Sequence, residues 1–127
     1  LITSIPGSST YFMGGTVCYS NASKMSQLQV SAQTLKEYGA VSEAVAVEMA
    51  IGARKAYNTD FALSTTGIAG PDGGSAEKPI GLVWIGVATE NTCFAKKFLL
   101  GTNRQRIIQV AADTALNMLR KKINEHN

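Results

Sequence analysis

The sequence predicts an α/β fold, a single three-layer α/β/α domain with a mixed sheet, and three observations point there. Strand-like and helical stretches alternate in the order β, α, α, β, hairpin, α. No repeat or low-complexity tract interrupts that order. At 127 residues the chain suffices for one hydrophobic core and falls short of two, so one domain over 1–127 is expected.

Leu1 to Pro6 is apolar, lacks a basic n-region or cleavage signal, and reads as the tail of an apolar helix. Pro6-Gly7-Ser8-Ser9 is a loop. Tyr11 to Ser20, rich in Phe, Val, Thr and Tyr, predicts a strand with Gly14-Gly15 at a bulge or a close approach. Ser20 or Asn21 then caps a helix, placing Lys24 in the first turn, where a cation opposes the macrodipole.

Ser31 caps a short helix that Gly39 stops in the αL conformation, and Ser42 caps a longer one. From Glu43 to Tyr57, Val45, Met49 and Ala53 recur at i, i+4, i+8 with Ala46 and Ala50 beside them, which defines one buried face. Phe61 to Thr66 predicts a short strand that ends in the Gly-rich loop Gly67 to Ser75, and strand ends of this kind hold binding sites. Ile80 to Thr89 and Thr92 to Leu100 pair as a hairpin around Glu90-Asn91. The last element, Asn103 to about Asn124, is an amphipathic helix expected to bury Ile108, Ala111, Ala112, Ala115 and Leu119.

Composition narrows the function classes. Apolar residues make up 45% of the chain and charged ones 17%, with no apolar run near the ~20 residues of a membrane span, so a soluble protein without membrane contact is expected. The net charge of +3 includes the run Arg120, Lys121, Lys122. Cations there complement a helix C-terminus, and sparse aromatics argue against nucleic acid as a partner. Cys18 and Cys93 sit in apolar stretches without CxxC spacing, which reads as two reduced core thiols in a cytosolic protein.

The sole histidine, His126, stands next to the C-terminus, where fraying and solvation are expected. A Ser–His–Asp hydrolase, a Cys–His enzyme and a His-ligated zinc site all need an imidazole on a rigid element. Paired carboxylates are poorly supported as well. What remains is activation of a hydroxyl by an amine, with Ser9, Tyr19 and Lys24 as candidates. Spacing leaves the bland readings open: Ser9 as a turn residue, Tyr19 as a core aromatic, Lys24 as a surface charge.

The Gly67 to Ser75 loop matches neither the dinucleotide fingerprint nor a P-loop. Its glycines suit either an anion nest or a flexible connection. Arg104, at the start of the last helix, could add a cationic contact to a phosphate, and Lys78 is a weaker candidate of the same kind.

Several motifs in order, Pro6-Gly7-Ser8-Ser9, Gly14-Gly15 with Tyr19-Ser20-Asn21 and Lys24, Gly39-Ala40-Val41-Ser42-Glu43, and Thr66 to Gly74 with Glu77-Lys78-Pro79, closely resemble the competence/damage-inducible CinA C-terminal domain family. The resemblance runs along nearly the whole chain. It implies a nicotinamide-nucleotide amidase that converts nicotinamide mononucleotide to nicotinic acid mononucleotide and ammonia in pyridine nucleotide recycling, as a homo-oligomer and with no metal or organic cofactor. By the same resemblance Ser9 is the nucleophile, Lys24 the general base and Tyr19 its partner, while Thr66, Gly67, Ala69, Gly70 and Arg104 bind the substrate.

Such domains open with a helix, a strand and an Ala-Glu-Ser-Cys-Thr-Gly-Gly motif, and this sequence starts after that motif. An exposed sheet edge and a gap in the core are expected where that strand would lie. Two other functions compete: a non-catalytic nucleotide-binding or regulatory domain of a longer CinA-like protein, and an interaction role through the basic last helix.

Overall fold

The computed structural model describes residues 2–126, with His126 described by its backbone alone. The expectation of a frayed, solvated His126 side chain lies outside the described part, as does Leu1. Two 3-10 turns, Ile2–Ser4 and Ser8–Thr10, come first among the described elements. Then follow α1 (Asn21–Leu28), α2 (Ala32–Tyr38), α3 (Glu43–Tyr57), β1 (Phe61–Gly67), β2 (Leu82–Thr89), β3 (Cys93–Leu99) and α4 (Arg104–His126).

Helix starts follow the capping residues. The Ser20, Ser31 and Ser42 hydroxyls accept from the amides of Ser23, Thr34 and Val45 at the starts of α1, α2 and α3. Each satisfies an orphan donor, worth about 1 kcal/mol. Gly39 ends α2 at φ +80 with ψ 165, a positive φ outside the αL region that sequence suggests. The Asn103 side chain caps α4 by accepting from the Arg106 amide at 3.0 Å.

The sheet has order β1-β2-β3 and both ladders are antiparallel, with Ser64 opposite Gly86 and Gly86 opposite Ala95. Thr89 shapes the hairpin turn, its hydroxyl accepting from the amides of Asn91 and Thr92. One face packs on α3, where Ser64 donates to the Ala46 carbonyl at 2.5 Å and Thr66 to that of Ala40 at 2.8 Å. The other carries α4 over a cluster of Val83, Ile85, Ile107, Ala111 and Ala115. A second cluster, Leu28, Val30, Leu35, Val45 and Met49, packs α1 and α2 on the outside of α3. The α/β class with helices on both sheet faces holds.

Three expectations change. The strand over Tyr11 to Ser20 does not form: residues 12–19 are extended, with odd-numbered side chains exposed and even-numbered ones turned inward, but no ladder joins them. A strand needs a partner as well as a pattern. The mixed sheet, which depended on that segment, is therefore an antiparallel one, and β1 is an edge. Second, α4 buries Ile107, Ala111 and Ala115, while Ile108 is 54% exposed. Ala111 and Ala115 are buried as expected and Ala112 and Leu119 half-buried, so the face differs at Ile107, which takes the core place expected of Ile108. Third, both cysteines are free, but Cys93 is exposed where a core thiol is expected.

Tyr57, at the end of α3, fixes the extended segment. Its hydroxyl donates to the Gly15 carbonyl at 2.9 Å and lies 2.7 Å from the Thr16 hydroxyl. Gly14 is the close approach that the glycine pair suggests, since a Cβ there would stand 2.6 Å from the Tyr57 ring. A carbonyl–helix contact of the same kind holds α1 on α3, where a Cβ on Gly52 would overlap the Leu28 carbonyl oxygen.

Candidate active site

The extended segment delivers Cys18 and Tyr19 to the start of α1. Lys24 lies one turn into that helix, 8% exposed, and its ammonium donates to the Cys18 carbonyl at 3.1 Å. The reading of Lys24 as a solvated surface charge fails. Tyr19 is 86% exposed, so it is no core aromatic either. Its hydroxyl accepts from Arg104 Nη2 at 3.2 Å, a contact between residues 85 positions apart.

Arg104 is the first residue of α4, and its second guanidinium nitrogen, Nη1, donates to the Gly70 carbonyl at 2.7 Å. The structure thus brings together Tyr19, Arg104 and the Gly-rich loop, with Lys24 beneath the residue before Tyr19. Gly70 is buried at φ +76, and a Cβ there would press on the Ile80 side chain. Ala69 packs against the α4-side cluster, which ties that end of the loop to the core. Residues 71–77 are exposed.

The other expected substrate contacts are partly committed to the fold. The Thr66 hydroxyl is spent on the Ala40 carbonyl, and Gly67 sits where a Cβ would crowd Val83 and the Leu82 carbonyl. Both are at the end of β1, next to the loop. Lys78 donates to the Tyr38 carbonyl at the end of α2 and acts as a helix-terminal cation.

Ser9 is exposed in the second 3-10 turn, after Gly7 at φ +87, and among the described residues no hydrogen bond joins it to Tyr19 or Lys24. The buried hydroxyl of the Gly-Ser-Ser motif is that of Ser8, 7% exposed. The missed residue in this region is Tyr57, whose grip on Gly15 and Thr16 sets the course of the segment carrying Tyr19. Nothing local in the sequence marks it, because its partners lie 42 and 41 positions away.

A cleft of about 360 Å³ opens elsewhere, between the start of α3, residues 77–79 and Trp84, and none of Ser9, Tyr19, Lys24, Thr66, Gly67, Ala69, Gly70 and Arg104 lines it. The basic run of α4 is engaged locally. Lys122 pairs with Glu125 at 3.0 Å and stands 5.6 Å from the centre of the Phe94 ring, and Arg120 forks onto Asn117. Among the described residues no helix is long and apolar enough to cross a membrane.

Fold and site together define a class: a three-layer α/β protein in which a guanidinium links a loop at one sheet end to a phenol, with a buried amine bonded to the residue before that phenol. Comparison with known proteins gives that class a family. The chain matches the CinA C-terminal domain model over residues 1–123 and belongs to that family. It is 50% identical over 123 residues to a CinA-like protein of Amoebophilus asiaticus, covering 97% of this chain and 30% of the relative. It is 46% identical to a putative competence-damage inducible protein of Alkaliphilus metalliredigens, covering 96% of this chain and again 30% of the relative. The chain thus spans about 30% of the length of these curated relatives.

Among solved structures, the competence/damage inducible protein CihA of Agrobacterium tumefaciens superposes with a TM-score of 0.91 at 41% identity, over 94% of this chain and 73% of that one. The competence damage-inducible protein A of Klebsiella pneumoniae superposes with a TM-score of 0.91 at 29% identity, over 97% and 76% of the two chains.

Proposed function

We propose that the protein is an amidohydrolase that converts nicotinamide mononucleotide to nicotinic acid mononucleotide and ammonia. The observation that carries this reading is the meeting of Tyr19 and Arg104 with the Gly-rich loop, beside a buried Lys24. Lys24 acts as general base and takes the Ser9 proton as Ser9 Oγ attacks the carboxamide carbon. The tetrahedral adduct collapses, Lys24 returns the proton to the leaving nitrogen, and ammonia departs. Water then hydrolyses the acyl ester to the carboxylate and frees Ser9.

Two of the five guanidinium N–H groups of Arg104 are engaged, by Gly70 and Tyr19, which leaves donors for the phosphate. Among the described residues Ser9 makes no hydrogen bond to Lys24, and catalytic hydrogen bonds often form or tighten only with ligand. A homo-oligomer in the cytosol, with no role on nucleic acid, belongs to the same reading.

The lack of a hydrogen bond from Ser9 to Tyr19 or Lys24 among the described residues favours one competitor, a non-catalytic nucleotide-binding domain of a longer protein. Ammonia release from nicotinamide mononucleotide decides between them. The wild-type protein is expected to release ammonia, and Ser9→Ala and Lys24→Ala each to lose at least about 100-fold in kcat. Unchanged activity in both variants would overturn the mechanism, and binding without turnover would favour the competitor.

A further inference from the structure

We infer that Arg104 is a positioning residue for Tyr19, a clasp that holds the phenol against the Gly-rich loop and does so before any phosphate arrives. The inference rests on the proposed amidase reading for its consequence in catalysis, and on the geometry alone for the clasp.

Tyr57 and Lys24 hold the backbone before Tyr19, but not its side chain: the residue is 86% exposed, and among the described residues its hydroxyl bonds to Arg104. An exposed tyrosine on an unpaired segment samples many rotamers unless a partner fixes it. Arg104 can do so because its own base is rigid. The Asn103 cap sets the first turn of α4, and Ile107, 2% exposed one turn on, anchors the helix to the sheet.

The fork then reaches two softer segments at once, through Nη1 to Gly70 and Nη2 to Tyr19. A planar guanidinium presents such donors in fixed relation, whereas a lysine ammonium is a point charge on a flexible stem. Charge at position 104 is therefore insufficient, and the fork is required. In the amidase reading a loosened Tyr19 lowers kcat, since misplacement by about 1 Å can cost about 100-fold. A residue that bound phosphate alone would act on KM and tolerate lysine.

The test compares wild type with Arg104→Ala and Arg104→Lys in the full chain, by two readouts. In NMR spectra of ring-labelled tyrosine, assigned with Tyr19→Phe, the Tyr19 ring signal is expected to collapse toward its free-chain position in both variants. The Tyr57 signal is expected to stay in place, reporting an intact fold. A Tyr19 signal unmoved by Arg104→Lys overturns the fork requirement, and one unmoved by Arg104→Ala overturns the clasp. In kinetics with nicotinamide mononucleotide, Arg104→Lys is expected to lower kcat at least 10-fold; wild-type kcat with a raised KM would reduce Arg104 to a phosphate contact. A wild-type protein that releases no ammonia sinks the amidase reading and leaves the NMR result to judge the clasp.

Discussion

Lys24 is where a structural and a chemical role can be separated. Its stem is buried in the first turns of α1, and among the described residues its ammonium bonds to the Cys18 carbonyl. Methionine keeps the apolar stem and removes the amine, leaving that carbonyl without its partner at a cost of about 1 kcal/mol, partly offset by no longer burying an amine. Lys24→Met is therefore expected to shift unfolding free energy by no more than about 1 kcal/mol, measured in denaturant, while abolishing ammonia release. Retained turnover would remove Lys24 from the mechanism. That Lys24 is buried and Tyr19 exposed was not legible in the sequence, because burial depends on what packs over a residue. The residue types were legible, since the lack of a histidine on a rigid element narrows hydrolytic chemistry whatever the fold.

Among the elements, helices were the more legible because their signals are local. A serine hydroxyl accepts from an amide three residues on, and Ser31 and Ser42 mark α2 and α3 without reference to the rest of the chain. On α4 the buried Ala111 and Ala115 were legible, but the isoleucine was read one residue out, because Ile107 and Ile108 are adjacent and only contact with Val83 and Ile85 decides between them. The consequence is measurable. Ile107→Ala is expected to cost about 2–5 kcal/mol and Ile108→Ala within about 0.5 kcal/mol, compared by denaturant midpoints; equal costs would mean that the helix seats differently. The unpaired segment at 12–19 shows the opposite limit. Its alternation is that of a strand, but ladder formation belongs to two segments and not to one.

For the whole molecule, α3 is the central element: Ala46 and Ala50 are fully buried, Ala46 accepts from β1, and Val45 and Met49 face α1 and α2. The two sides of the molecule are unlike. The β3 edge carries Lys96 and Lys97, charges that discourage edge pairing, whereas residues 1–23 hold no charged side chain and expose Tyr11, Met13, Val17 and Tyr19 in one extended row. Val17 is 85% exposed, so Val17→Lys should leave the unfolding free energy within about 0.5 kcal/mol of wild type, measured in denaturant; a larger loss would mean that Val17 packs against the rest of the chain.

The sequence by itself determined the α/β class, the helix starts, the hairpin and the set of groups available for chemistry, because each follows from local hydrogen bonding, periodicity or residue inventory. Only the tertiary structure decided that Ile107 rather than Ile108 faces the core, that Lys24 is buried, and that Tyr19 meets Arg104 across 85 positions. Those outcomes are contacts between distant segments, settled when α3 and α4 bury the two sheet faces. No local pattern encodes them, since packing free energy belongs to the assembled layers.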